Sequence, residues 1–146
     1  MFNLPVSSVM EKGKVLVADP ATTVFEATKM MAQKKVGAIM IVKDSRLVGI
    51  FTERDVVFRV VAMDRDSRTT LLQEVMTESP RTISPDKPFG LALMMMHDNG
   101  FRHVPVVKLG KPVGIVSARN ALDPALEEFG CEVNRRKQFH SMASRA

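Results

Sequence analysis

The chain has 146 residues, 45% of them apolar, which excludes a disordered polymer and leaves room for one domain or two small units sharing a core. Net charge is +5, but Arg135, Arg136, Lys137 and Arg145 stand against Glu132 alone in residues 131–146, so the body of the chain is close to neutral and carries no basic footprint for nucleic acid. The single cysteine, Cys131, has no internal partner, no apolar run nears the ~18 residues of a membrane span, and the N-terminus lacks the basic and apolar regions of a signal peptide. A soluble, cytoplasmic protein is expected.

The predicted elements come twice. A helical turn ends in Val9-Met10. A short strand, Val15–Val17, stops at Asp19-Pro20, because proline favours a turn and cannot donate to a central ladder. An amphipathic helix follows over Val24–Lys34, with Val24, Ala27, Met30 and Met31 on one face. Two apolar strands, "AIMIV" and "LVGIFT", flank the polar "KDSR", and a further helix opens at Glu53. The polar segment "VAMDRDSRTT" (61–70) reads as a surface linker.

Then the order repeats. A turn ends in Val75-Met76, a strand Arg81–Ile83 stops at Ser84-Pro85, and a helix runs from Pro88 to Asp98 with Gly100 ending it. The strands "HVPVV" and "PVGIVS" flank "KLGK", and a helix opens at Ala118. Sliding the chain by 65 residues superposes Pro20 on Pro85, Ala27 on Ala92, Met30-Met31 on Met95-Met96 and Val48-Gly49 on Val113-Gly114. Self-similarity at a fixed period means one supersecondary unit used twice. The unit is β-α-β-β-α, and each copy is too small to bury its own apolar face, so two must pack together. The fold class is therefore α/β (α+β), two pseudo-symmetric units forming one module. Residues 6–62 form the first unit, 63–70 the linker, 71–125 the second unit, and 126–146 a C-terminal helix and basic tail.

The phrase "GIFTERD" (49–55) returns as "GIVSARN" (114–120), with the final acid changed to an amide. Gly49 lets the chain pass close to a neighbour where a Cβ would clash. Thr52 stands where strand turns into helix, so its hydroxyl and the nearby free N–H groups can receive an anion. Asp55, one helical turn later, shares its face, and a carboxylate accepts both hydroxyls of a vicinal diol. Together they make a clamp for the phosphate and ribose of a nucleotide. A hydroxyl at such a junction serves equally well as an N-cap.

On these residues, and on the Val-Met turns, the Pro after each first strand, "GAIMIV" and "RHVPVV", the chain resembles the cystathionine-β-synthase (CBS) domain pair over about residues 6–125. The resemblance implies two equivalent clefts. In one, Thr52, Arg54 and Asp55 face Arg102, His103 and Val104; in the other, Ser117, Arg119 and Asn120 face Thr22, Ala27, Val36, Gly37 and Ala38. It implies an adenine nucleotide as ligand (AMP, ADP, ATP or NAD), a homodimer, a sensor of energy or redox state, and no catalytic role. Asn120 departs from the family's pattern. An amide is neutral and offers one acceptor oxygen, so its cleft is weaker, differently liganded or empty, and the Asp55 cleft is expected to bind a mononucleotide more tightly.

No P-loop, nucleophile–base pair or metal-ligand spacing is present in the sequence. In the tail, Asp123 is expected to cap a new helix with Pro124 at its first position and Leu126, Phe129 and Val133 as an apolar stripe packed on the module or on a dimer mate. The other reading of the whole chain is a constitutive interaction module with empty clefts, its partner bound by the basic tail.

Overall fold

The computed structural model describes residues 1–11 and 15–143, and the side chains of all of these except 125–127 and 139–143. The elements are α1 (Val6–Val9), β1 (Val17–Ala18), α2 (Val24–Lys34), β2 (Ala38–Lys43), β3 (Arg46–Thr52) and α3 (Glu53–Asp55), which runs on as a π-helix over Val56–Val61. After the linker come α4 (Leu72–Val75), β4 (Thr77–Glu78), α5 (Phe89–Asn99), β5 (His103–Lys108), β6 (Lys111–Ser117) and α6 (Arg119–Ala143). The two expected β-α-β-β-α units are both there.

Local chemistry sets the boundaries. Thr23 caps α2: the Glu26 N–H donates to Thr23 Oγ1 and the Thr23 N–H to the Glu26 carboxylate. Lys35 ends the helix in the left-handed region at φ 55°, and Gly100 ends α5 in the same way at φ 70°. β1 lies parallel to β2, β2 and β3 form an antiparallel hairpin, and β4 joins the far edge of β3. In the second unit β5 and β6 form the matching hairpin, with single bridges from Ile83, parallel to β5, and from Glu11, antiparallel to β6.

The outer members of each sheet come from opposite units. β4 follows the linker yet pairs with β3, while Glu11 precedes the first unit's strands yet bridges to Ile115. The short helices are exchanged in the same way. Val6 is buried among Ile83, Phe89, Ala92, Val104 and Val116, and Leu72 and Val75 are buried among Val24, Ala27, Ile39, Ile41 and Phe51. The backbone repeats the exchange bond for bond. Val6 and Ser7 donate to the carbonyls of Lys87 and Pro85, and Leu72 and Gln73 donate to those of Thr22 and Pro20. The repeated prolines thus supply acceptors to the turn from the other half of the chain.

The linker does more than span a gap. The first two N–H groups of α2, on Val24 and Phe25, donate to Thr70 and Ser67, as those of Phe89 and Gly90 in α5 donate to Leu4 and Phe2. Thr70 is buried and the Arg68 guanidinium lies 4.1 Å over the Phe25 ring, so residues 67–70 are a capping segment and not a free surface linker.

The C-terminus differs from expectation. No new helix starts at Pro124; α6 is continuous from Arg119 and holds Pro124 inside it. Pro124 has no N–H for the Asn120 carbonyl, and Asp123 does not cap but lies 4.0 Å from Arg119. Of the expected stripe, Phe129 is exposed and does not pack on the module, and Val133 is half-buried; Leu126 and Arg145 fall outside the described side chains.

The repeated glycines meet the repeated methionines. A Cβ on Gly49 would collide with the Met76 side chain and stand 3.2 Å from the Thr77 carbonyl; a Cβ on Gly114 would meet the Met10 sulfur at 2.6 Å and the Glu11 carbonyl at 3.2 Å. Gly49→Ala is therefore expected to cost ~1–3 kcal/mol through overpacking. Met76→Ala should cost less in that background than in the wild-type chain. Urea unfolding of the four proteins measures the cycle, and additive costs would show that Met76 does not compete with the new methyl.

Candidate functional site

A cavity of about 1010 Å³ opens between the units. One wall is Val15 and Leu16 with the loop into β2, Lys35, Val36, Gly37 and Ala38; the other is Arg102 and His103 at the start of β5 and Ser117, Arg119, Asn120 and Asp123 at the junction of β6 and α6. Glu11 and Glu53 reach it from the two sides. Each unit thus contributes a strand start, and the second contributes the strand-to-helix phrase.

The repeated phrase builds the same local structure twice. Thr52 N–H and Oγ1–H both donate to Asp55 Oδ2, at 2.9 and 3.2 Å. Ser117 N–H and Oγ–H both donate to Asn120 Oδ1, at 2.7 and 3.2 Å. The backbone behind them matches as well: Glu53 N–H donates to the Gly37 carbonyl and Ala118 N–H to the Arg102 carbonyl. In both copies the hydroxyl residue and the acid or amide close a helix start on themselves, which is the capping role the sequence left open.

The two copies differ in what remains. Asp55 is buried, and its second oxygen lies 3.4 Å from Arg59 Nε. Arg54 donates to the Gly100 carbonyl at 3.2 Å and lies 5.1 Å over the Phe58 ring, tying α3 to the end of α5. The Asp55 constellation is therefore engaged in structural contacts. Asn120 is half-buried at the cavity wall, and the residue in the place of Arg59 is Pro124.

Val36, Gly37, Ala38, Arg102, His103, Ser117, Arg119 and Asn120 all line this one cavity, while Thr22, Thr52, Arg54 and Asp55 do not. Ala27 and Val104 are fully buried in the two hydrophobic cores, so their side chains cannot meet a ligand there. Arg102 and His103 do not group with Thr52 and Asp55 as expected. β5 runs antiparallel to β6, so His103 pairs with Ser117, and Arg102 is held by Ala118. Lys35, Glu11, Glu53 and Asp123 were missed by sequence reasoning. Glu53 stood beside Thr52 in the motif and Lys35 beside Val36, but neither carries a pattern that says which wall it reaches. Among the described residues, no group of three His, Cys, Asp or Glu side chains gathers to hold a metal ion, and no helix is long and apolar enough to cross a membrane.

Comparison with known proteins accords with this geometry. The CBS domain family matches residues 6–62 and 72–126. The mitochondrial CBS domain-containing protein CBSX3 of Arabidopsis thaliana is 35% identical over 118 residues, covering 77% of this chain and 57% of its own length, so the chain spans little more than half of that relative. An uncharacterised conserved protein from Pyrococcus horikoshii has a solved structure that superposes with a TM-score of 0.79 at 28% identity, covering 86% of this chain and 94% of that one. A CBS domain protein from Pyrobaculum aerophilum, solved complexed with AMP, superposes with a TM-score of 0.73 at 26% identity over 80% of this chain and 89% of that one. The chain belongs to the CBS domain family, with two copies of the domain packed as one pair.

The titration of His103, on the cavity wall, is displaced. Burial lowers its pKa from the usual 6.5, Glu53 and Glu11 pull it partly back, and Arg102 adds to the lowering. The unfolded chain therefore takes up this proton more readily than the folded one. Stability from this group is complete above about pH 6.5, falls as pH drops below it, and levels off once the folded imidazole is protonated too. Urea unfolding between about pH 7.5 and 5 should show that decline, and His103→Gln should flatten it. An equal decline in the variant would assign it to other groups.

Proposed function

We propose that the chain is a regulatory CBS pair that binds an adenine nucleotide (AMP, ADP, ATP or an NAD-type ligand) in the cavity at Ser117 and Asn120 and reports energy or redox state to a partner, without catalysis of its own. The observation that carries this reading is the open cavity between strand starts of both units, with Arg102 and Arg119 on one wall. The relative complexed with AMP supports it. A ligand held by both units stabilises the arrangement in which they meet, and regulation follows if a partner prefers that arrangement.

The apolar strip Val57, Phe58 and Val61, with each residue more than half exposed, supports pairing of two copies. Phe58→Glu is expected to lower the mass seen in sedimentation equilibrium from dimer to monomer, and an unchanged mass would remove this strip from the assembly.

AMP at about 100 times its dissociation constant should stabilise the fold by ~2.7 kcal/mol in a thermal melt. Absence of any shift with all four nucleotides would favour the constitutive interaction module. Arg119→Ala should weaken AMP about tenfold, the loss of a charge-assisted hydrogen bond to phosphate. Asp55→Asn should leave AMP affinity within about twofold and cost less than ~1 kcal/mol, since an amide oxygen can still receive Thr52 and the Arg59 pair is half-exposed. A large loss of affinity in Asp55→Asn by calorimetry would move the site to the other cleft.

A further inference from the structure

The amide in place of the acid gives the open cleft a chemistry of its own. Asn120 Oδ1 is taken by two donors, the N–H and hydroxyl of Ser117. That fixes the orientation of the amide, because a flipped Asn120 would put its NH2 group against a backbone N–H. Nδ2 has no partner among the described residues, and Asn120 is half-buried at the cavity wall. Asn120 thus offers the cleft donors and no free acceptor.

A ribose hydroxyl donates one hydrogen and can also accept, so it is best met where an acceptor takes that hydrogen, and a wall of donors alone leaves it unplaced. A phosphomonoester needs donors and positive charge, and offers three acceptor oxygens. The change from acid to amide is accompanied by the change from Arg59 to Pro124, so the copy that lost the carboxylate also lost the cation that neutralised it. Arg119, 73% exposed at its side chain, and Arg102 both line the same cavity. Lys35 adds a third cation, and Glu11, Glu53 and Asp123 line the cavity as well, Asp123 lying 4.0 Å from Arg119, so the charges there balance and the amide donors of Asn120 decide which group is received. In dinucleotide-binding folds, removing an acid from the ribose subsite and placing an arginine near it is what admits a ribose phosphate.

We propose that the Asn120 cleft selects a nucleotide whose ribose is phosphorylated at the 2′ or 3′ oxygen over one with a free diol. This rests on the nucleotide-binding reading above. Calorimetry on the full chain tests it with three probes: AMP, adenosine 2′,5′-bisphosphate and adenosine 3′,5′-bisphosphate. One of the bisphosphates is expected to bind at least about tenfold more tightly than AMP, roughly the contribution of one charge-assisted hydrogen bond. In Asn120→Asp the order should invert, because a carboxylate accepts the diol and repels the phosphate. If none of the three probes binds, the nucleotide reading itself fails. If AMP binds as tightly as either bisphosphate, that reading stands and the selectivity is overturned. If the bisphosphate is preferred equally in Asn120→Asp, the added charge acts through Arg102 and Arg119 alone and Asn120 is not the determinant.

Discussion

The structure depends on an exchange. Each Val-Met turn is cut from one half of the chain and packed into the core of the other, with its methionine lying over the other half's glycine. Neither unit is complete without it. The first core lacks Leu72 and Val75 if the second half is removed, and the second core lacks Val6 if the first is removed. Two units too small to stand alone become one module because each closes the other. The glycine of the repeated phrase is then first a packing residue: it provides the space that the exchanged methionine fills.

This exchange fixes the cleft. Because β4 pairs with β3 and Glu11 bridges to Ile115, the two sheets are held edge to edge by segments that cross between units. The loop into β2 and the start of β5 are brought to one cavity as a consequence. The cavity walls are strand starts, the loop into β2 and the start of α6, while Val6, Leu72 and Val75 of the exchanged turns are buried in the cores. Core packing and the cavity wall are therefore built from different residues of the same repeated phrase. Gly49 and Gly114 serve packing, and the residues after them shape the wall.

Much of the fold was legible because it is periodic. The helix over Val24–Lys34 and the end of α5 at Gly100 follow from apolar spacing and a left-handed cap. The exchange was not legible, because a repeat shows that Val-Met precedes each strand but not whose core receives it. Pro124 misled for a related reason. A proline reads as a helix start, but the helix begun at Arg119 runs on because its first turn is anchored at Ser117 and Ala118. At the site, the residues next to the strand starts were legible from the motif. Ala27 and Val104 were not separable from them, since one apolar residue at a strand or helix face is core and its neighbour is cleft, and only packing decides. Lys35 and Glu53 became visible only once the loops had a direction.

The pseudo-symmetry has a last consequence. Two clefts built by one motif start with the same chemistry, and a single module gains nothing from two identical half-sites unless both are filled. Here the copies have parted. In the first, Asp55 is paired with Arg59 within its own unit, and Arg54 alone of the motif is anchored across to the Gly100 carbonyl of the other. In the second, Asn120 needs no counter-ion, Pro124 supplies none, and Arg119 stands exposed at the wall with Asp123 4.0 Å away. A neutral residue at the helix start keeps the cap without needing a counter-ion.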